Sequence, residues 1–172
     1  QLGSLAIALL FVIIIVGAIL RSFAAGIYAA IPIVSAIIIL FGVMGYTGIP
    51  LNIATVLVAS IAMGIGIDYS IHVITHFNDS LQKGATIRES LNDTIVISGK
   101  AIIINVISVS AGFLVLLFSE MVPLQYFGLL ICLSMVGSGL SALTFLPVIL
   151  ILANKERAMR SHPLIPFKKE YN

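Results

Sequence analysis

Residues 53–75 read IATVLVASIAMGIGIDYSIHVIT, an apolar run with no lysine or arginine and a single acidic residue, Asp68. A helix needs about 20 mostly apolar residues to cross the hydrocarbon core of a bilayer, and this run is long enough for one crossing. Two glycines and a histidine stand close to the acid, as Gly64, Gly66 and His72. The stretch therefore predicts a membrane-spanning helix that carries a polar site.

Long apolar runs also make up most of the remaining chain. Hydrophobic residues account for 60% of the 172 residues and charged residues for 9%, whereas roughly a quarter of the residues in a soluble domain are charged. We therefore predict an all-α membrane protein, a bundle of five transmembrane helices, and no nucleic-acid partner. The predicted spans are residues 2–20, 24–44, 53–75, 101–118 and 126–152.

The basic residues all fall on one side of this predicted arrangement, and none lies inside a predicted span. The positive-inside rule places that side in the cytoplasm. The N-terminus then begins outside, and residues 153–172 form a basic cytoplasmic tail of a multi-pass protein in the cell's inner (cytoplasmic) membrane. The nine residues are Arg21, Lys83, Arg88, Lys100, Lys155, Arg157, Arg160, Lys168 and Lys169.

The loop between the third and fourth spans carries a helix-start pattern. Thr86 followed by Glu89 fits a capping box, and apolar residues then recur every fourth position from Ile87. We interpret residues 86–97 as a short amphipathic cytoplasmic helix. It either lies on the inner membrane surface or packs against the bundle as a connector.

Asp68 is the main candidate for a functional residue. An aspartate in the middle of a membrane helix costs roughly 2.5–3.5 kcal/mol on insertion scales, and such residues mark ion and proton pathways. We expect Asp68 to be buried in the bundle, where it faces protein or water rather than lipid. There it either gains and loses a proton or, as a neutral acid, only hydrogen-bonds to a neighbouring helix.

The residues around Asp68 have predicted supporting roles. Gly64 lies one turn before it on the same face and leaves room for another helix or water, together with Gly66. Tyr69 can donate a hydrogen bond to a carboxylate on a facing helix. His72, one turn after the acid, either passes protons toward the cytoplasm or serves as a polar interface residue.

The fourth span offers two further polar partners. Asn105 and Ser108 share a face of that helix and are placed to hydrogen-bond Asp68 or to hold water beside it. With these two, the predicted site comprises one acid, one imidazole and three other polar side chains from two spans.

Catalytic and metal-binding interpretations of this region are weak. Asp68, His72 and His76 are spaced at four-residue intervals, but a metal site needs more ligands than these. The GxGxD spacing at Gly64 resembles the GxGD motif of intramembrane aspartyl proteases, yet a second membrane aspartate is missing. We therefore predict neither an enzyme nor a bound metal or cofactor. The coupling ion is expected to be a proton, with sodium left open.

Two motifs point to a known family. Residues 45–52, GYTGIPLN, lead into residues 64–72, GIGIDYSIH. In this order they resemble the resistance–nodulation–division (RND) superfamily, specifically its MmpL and hydrophobe-exporter branch, which is related to Patched and the sterol-sensing domain. Supporting matches are Ser110-Ala111-Gly112-Phe113, Phe127-Gly128 and Leu146-Pro147.

The resemblance implies a larger protein than this chain. Family members have two similar halves, each with one helix, a large extracytoplasmic domain and five further helices. The chain resembles the last five helices of one half, helices 2–6 or 8–12. The implied partners are the other half, the extracytoplasmic domain, membrane lipids and a hydrophobic substrate, and oligomerisation stays open.

The resemblance also implies a function. It assigns Asp68 and Tyr69, and with less support His72, to a proton relay in an exporter of hydrophobic or lipid-like substrates driven by the proton motive force. One alternative is a sterol-sensing-like module that binds lipid and uses Asp68 only structurally. Another is an accessory role in protein translocation, as in the SecD and SecF relatives.

Overall fold

The apolar runs of the sequence form long helices. A computed structural model describes residues 2–20 and 22–158, and within these residues the chain is helical and contains no strand. The predicted all-α architecture is thus confirmed. The described elements are α1 (Leu2–Ile19), α2 (Phe23–Thr47), α3 (Ile53–Gln82), α4 (Ile87–Leu114), a short 3₁₀ turn (Val115–Phe118) and α5 (Val122–Ala158).

Helices α2 to α5 are each long and apolar enough to cross a membrane. In α1, the searched part holds an apolar segment at Ala6–Ile19. The five helices fall on the five predicted spans. The predicted tail begins inside α5, and residues 159–172 lie outside the described part.

The helix ends follow from local sequence. Asn52 caps α3, because its side chain accepts a hydrogen bond from the Thr55 amide at 3.0 Å while the Thr55 hydroxyl accepts one from the Asn52 amide at 2.8 Å. Gly48 ends α2 in the left-handed region at φ +71°, which glycine adopts without a steric penalty. Its amide donates to the carbonyl of Met44. These short connections make successive helices antiparallel.

The fourth helix differs from its prediction. The capping box is confirmed, since the Glu89 carboxylate accepts from the Thr86 amide at 2.9 Å and the Glu89 amide donates to the Thr86 hydroxyl. However, α4 continues without a break from Ile87 to Leu114. The separate amphipathic helix at residues 86–97 is wrong, and Lys100, predicted in the connecting loop, lies within α4.

Helix contacts explain why the helix does not break at this point. Ser98 is buried, and its hydroxyl donates to the backbone carbonyl of His72 on α3 at 3.3 Å. Gly99 is also buried, and a methyl group there would lie 3.5 Å from the Leu143 side chain of α5. Ser98 and Gly99 are therefore packing positions within a continuous α4, and α3 likewise extends seven residues past its predicted end.

Helix α5 lies at the centre of the bundle, in contact with α2, α3 and α4. Successive residues of a helix point in directions about 100° apart, so three consecutive small residues let three helices approach closely. A methyl group on Gly139 would lie only 2.8 Å from the nearest carbon of α4. The three contacts are Gly137 with Ile39 of α2, Ser138 with Gly66 of α3, and Gly139 with Val106 of α4.

A buried serine links α3 to α2. The Ser70 hydroxyl is fully buried and donates to the backbone carbonyl of Ala29 at 2.9 Å. We expect Ser70→Ala to lower the free energy of unfolding by about 0.6–1.7 kcal/mol, the range measured for hydrogen bonds between membrane helices. The measurement is unfolding by SDS in mixed micelles.

Ser60 on the same helix provides the control. It is exposed, and its hydroxyl bonds only to the Val56 carbonyl of its own helix. Ser60→Ala should leave the unfolding free energy within about 0.5 kcal/mol of the wild type. Equal losses for the two variants would contradict the assignment of Ser70 as a link between helices.

Candidate functional site

Asp68 lies on the outer face of α3 and is exposed. The prediction that it is buried is therefore wrong for this chain by itself. The reason is the helical repeat: Tyr69 and Ser70, the next two residues, point into the bundle and are 1% and 0% exposed. Each residue of a helix points about 100° away from the one before it. When Tyr69 and Ser70 are buried, Asp68 therefore points out of the bundle.

An open cleft of about 350 Å³ lies beside Asp68, between α3 and α4. We call it the acid cleft. It is large enough for several water molecules, and its polar groups could hold them. Its walls are formed by Asp68, Tyr69, Ile71, His72 and Thr75 of α3 and by Ala101, Ile102 and Asn105 of α4.

The structure brings some predicted site residues together and separates others. His72 and Asn105 join Asp68 in the acid cleft, whereas Ser108 is exposed on α4 and is not part of the cleft wall. Gly64 is also exposed, and no atom of the described chain comes within 4 Å of a methyl group placed on it. The predicted close approach of another helix at Gly64 is therefore not made within this chain.

Gly66 belongs to the packing of the bundle rather than to the cleft. It is buried, and a methyl group on it would lie 3.4 Å from the Cβ of Ser138 and 3.6 Å from the side chain of Ile33. Gly66 thus sets the close contact of α3 with α5 and α2, two residues before Asp68.

Tyr69 connects the acid cleft to the bundle core. Its ring lines the cleft, while its hydroxyl donates to the thioether sulfur of Met135 on α5 at 3.8 Å. The predicted partner, a carboxylate on a facing helix, is replaced by a sulfur atom, which is a weak acceptor. In this arrangement Tyr69 holds α3 against α5.

Two residues near the cleft were missed by sequence reasoning. Thr75 lines the cleft seven residues after Asp68, a spacing that places both on one helical face. Ser98 bonds to the carbonyl of His72 and fixes α4 against α3 at the cleft. Ser98 lies four residues before Ile102 of the cleft wall, and this spacing was the indication in the sequence that Ser98 is near the cleft.

The acid cleft thus holds a carboxyl group, an imidazole, a carboxamide and a hydroxyl group on adjacent turns of two helices. The first two can bind and release a proton, and the other two donate and accept hydrogen bonds. Among the residues that the structure describes, no group of three or more His, Cys, Asp or Glu side chains is placed to hold a metal ion. The polar groups that line the cleft are of the kinds that bind protons and organise water.

Comparison with known proteins finds relatives that match part of this chain. A membrane protein of Methanocaldococcus jannaschii, MJ1562, is 27% identical over 96 residues, which cover 56% of this chain and 25% of that protein. The sulfolipid-1 exporter MmpL8 of Mycobacterium tuberculosis is 25% identical over 97 residues, which cover 56% of this chain and 9% of the exporter. The matched stretch therefore spans a quarter or less of these relatives.

A family-level comparison covers much more of the chain. Residues 2–164 match the family model of the MMPL family, a range that includes all the described helices and the acid cleft. The resemblance drawn from residues 45–52 and 64–72 is thereby confirmed. This chain, an integral membrane protein built from helices α1 to α5, belongs to the MMPL family.

Proposed function

We propose that the chain is the membrane domain of an exporter that uses a proton gradient to move hydrophobic or lipid-like molecules, with Asp68 as the residue that binds and releases the proton. Family membership supports a transport role. The name of the relative MmpL8, a sulfolipid-1 exporter, supports a lipid as the class of cargo.

The observation that carries this proposal is the position of Asp68. It is the only acid of the span in residues 53–75, and it faces a cleft that also holds His72 and Asn105. A carboxyl group in this environment has a high insertion cost, which is characteristic of functional rather than structural positions. Water in the cleft would give the proton a path to Asp68.

The neighbours of Asp68 support a mechanical role for protonation. Ser70 ties α3 to α2 and Tyr69 ties it to α5, so the back of the helix is fixed while its acid-bearing face is uncovered. Protonating Asp68 would remove a charge from that face and let it pack against a less polar surface. The helix would therefore respond by shifting against whatever covers the acid cleft.

The proposal includes partners and an orientation. The cleft face, from Gly64 to Thr75, would be covered by the second half of the full-length transporter, and an extracytoplasmic domain would handle the cargo. The end of the bundle with Lys83 and Arg88 would lie in the cytoplasm, as the positive-inside rule requires, with the N-terminus of this chain outside. Asp68, Tyr69 and His72 would form the proton relay, and the other residues of the cleft would position it.

The test is a pH titration of carboxyl absorption by difference infrared spectroscopy on the full-length protein in membranes. We expect a carboxyl band that appears on acidification, titrates within the pH range of the living cell, and is missing in Asp68→Asn. Asp79→Asn is the matched control, because Asp79 is an exposed aspartate on the same helix outside the cleft.

Either of two results would contradict the proposal. A band assigned to Asp68 that stays protonated at every accessible pH would make the residue a structural hydrogen-bond donor. That result would favour the structural or sensor interpretation, whereas a titrating band that survives in Asp68→Asn would assign the proton to another group.

A further inference from the structure

A second cavity lies on a different side of α4, away from Asp68. It has a volume of about 360 Å³ and is bounded by α4 and by one residue of α5. We call it the apolar groove. Its walls are formed by Ile95, Gly99, Lys100, Ile103, Ile104 and Leu143.

Lys100 is the one charged residue of the apolar groove, and no acidic residue of α4 lies within one turn of it. The residues one turn before and after it are Val96, Ile97, Ile103 and Ile104, all exposed and apolar. The opposite wall of the groove is a leucine. A cation surrounded in this way needs an anionic partner from outside the bundle, because an unpaired charge next to hydrocarbon is costly.

The position of Lys100 along α4 fits the boundary between hydrocarbon and lipid headgroups. Asp93 is the last acidic residue of α4 before the apolar stretch, and Lys100 lies seven residues further on, about 10 Å along the axis. A lysine at this depth extends its apolar stem along the helix and brings its ammonium group to the interface. The ammonium group is then at the level of lipid phosphates.

The face of α4 around the groove is open to lipid in this chain. In the most apolar part of the span Ile87–Phe118, which contains α4, 11% of the residues are buried within the chain. The corresponding share in the spans of α3 and α5 is 50%. Gly99 carries no side chain that would fill the groove. The groove therefore has a long apolar wall and one cationic side chain, that of Lys100.

From these observations we propose that the apolar groove binds one anionic phospholipid of the cytoplasmic leaflet. An acyl chain would lie along Ile103, Ile104 and Leu143, on the hydrocarbon side of Lys100, and the phosphate would pair with the ammonium group of Lys100. The cytoplasmic leaflet is the side where anionic lipids meet basic residues. The acyl chain distinguishes this ligand from a free phosphate, which would gain nothing from the apolar walls.

The experiment uses the full-length protein in phosphatidylcholine vesicles that contain a small fraction of phosphatidylglycerol with a photoactivatable diazirine in its acyl chain. After illumination, the labelled residues are identified by peptide mass spectrometry. We expect adducts at residues 99–104 and at Leu143. Labelling with the matching phosphatidylcholine probe should be about fivefold lower, as expected for one lysine near a lipid surface.

Variants of Lys83 and Lys100, two lysines that are exposed in the described part of the chain, separate the site from general attraction of anionic lipid. Lys100→Gln should reduce phosphatidylglycerol labelling of the groove about fivefold, to the level of phosphatidylcholine, and Lys100→Arg should retain it. Lys83→Gln is the matched control, since Lys83 is exposed in the turn after α3 and should leave labelling unchanged.

Three outcomes would overturn the proposal. Undiminished labelling in Lys100→Gln would mean that Lys100 does not select the lipid, and an equal loss in Lys83→Gln would indicate a diffuse electrostatic effect. Displacement of the probe by millimolar inorganic phosphate would indicate a site for a free anion. Because the measurement needs neither cargo nor a proton gradient, its result is independent of the role proposed for Asp68.

Discussion

Asp68→Asn is expected to abolish proton-driven transport by the full-length protein while leaving its amount and folding in the membrane unchanged. The substitution keeps the shape of the side chain and removes only its ability to bind and release a proton. Asp68 is exposed in the acid cleft, so the change leaves the packing of the bundle intact. The rate should fall by at least about a hundredfold, the lower end of what a positioned proton-transfer group contributes.

The measurement is proton entry into proteoliposomes of host-membrane lipids, followed with a trapped pH-sensitive dye after a pH gradient is imposed. Sodium-free and sodium-containing buffers are compared, because a carboxylate can serve either ion. Asp79→Asn provides the control and should behave as the wild type. Wild-type flux in Asp68→Asn, or an equal loss in Asp79→Asn, would rule out Asp68 as the proton carrier.

Gly128→Ala is expected to have the largest effect on stability. A methyl group on Gly128 would collide with the carbonyl oxygen of Phe113 and lie 2.9 Å from the Cβ of Leu116. A backbone atom cannot move aside as a flexible side chain does, so α4 and α5 would have to separate at this end. The separation would also disturb the edge-to-face contact of Phe113 with Phe127, whose ring centroids lie 6.1 Å apart.

Overpacking of this kind costs about 1–3 kcal/mol, and we expect the loss for Gly128→Ala to lie in the upper half of that range. The measurement is SDS-induced unfolding of the full-length protein in mixed micelles. Gly112→Ala on α4 is the control, because no atom of the described chain lies within 4 Å of the added methyl group. Similar destabilisation by both substitutions would show that helix propensity or an absent partner, rather than the contact at Phe113, governs the result.

The sequence predicted the helices well and their ends less well, for a physical reason. Hydropathy reports the part of a helix that lies in hydrocarbon, so it located the apolar stretches of α2 to α5. Hydropathy does not report the polar helical turns by which α3 continues to Gln82 and α4 begins at Ile87. The packing that carries α4 through Ser98 and Gly99 involves His72 and Leu143, which are distant in sequence, so a local pattern did not show it.

For the candidate site too, local sequence patterns predicted some features, and contacts between distant residues decided others. The rarity of an acid in an apolar span singled out Asp68, and the four-residue spacing grouped it correctly with His72 in one cleft. The direction in which Asp68 points depends on which face of α3 meets α2 and α5. That choice is made by Tyr69 and Ser70 through partners on other helices, and a local pattern does not contain it.

The central place of α5 has a consequence for biogenesis. Helices α1 to α4 pack mainly against their neighbours in sequence, and α5 is the element that contacts α2, α3 and α4 together. Since α5 leaves the ribosome after these helices, they are inserted in the bilayer before their packing against α5 can form. Association of the helices then follows insertion. Ser70 can bond to α2 before α5 is inserted, and arrival of Met135 then gives Tyr69 its partner, so the outward orientation of the acid is held from both sides of α3 only after α5 has packed.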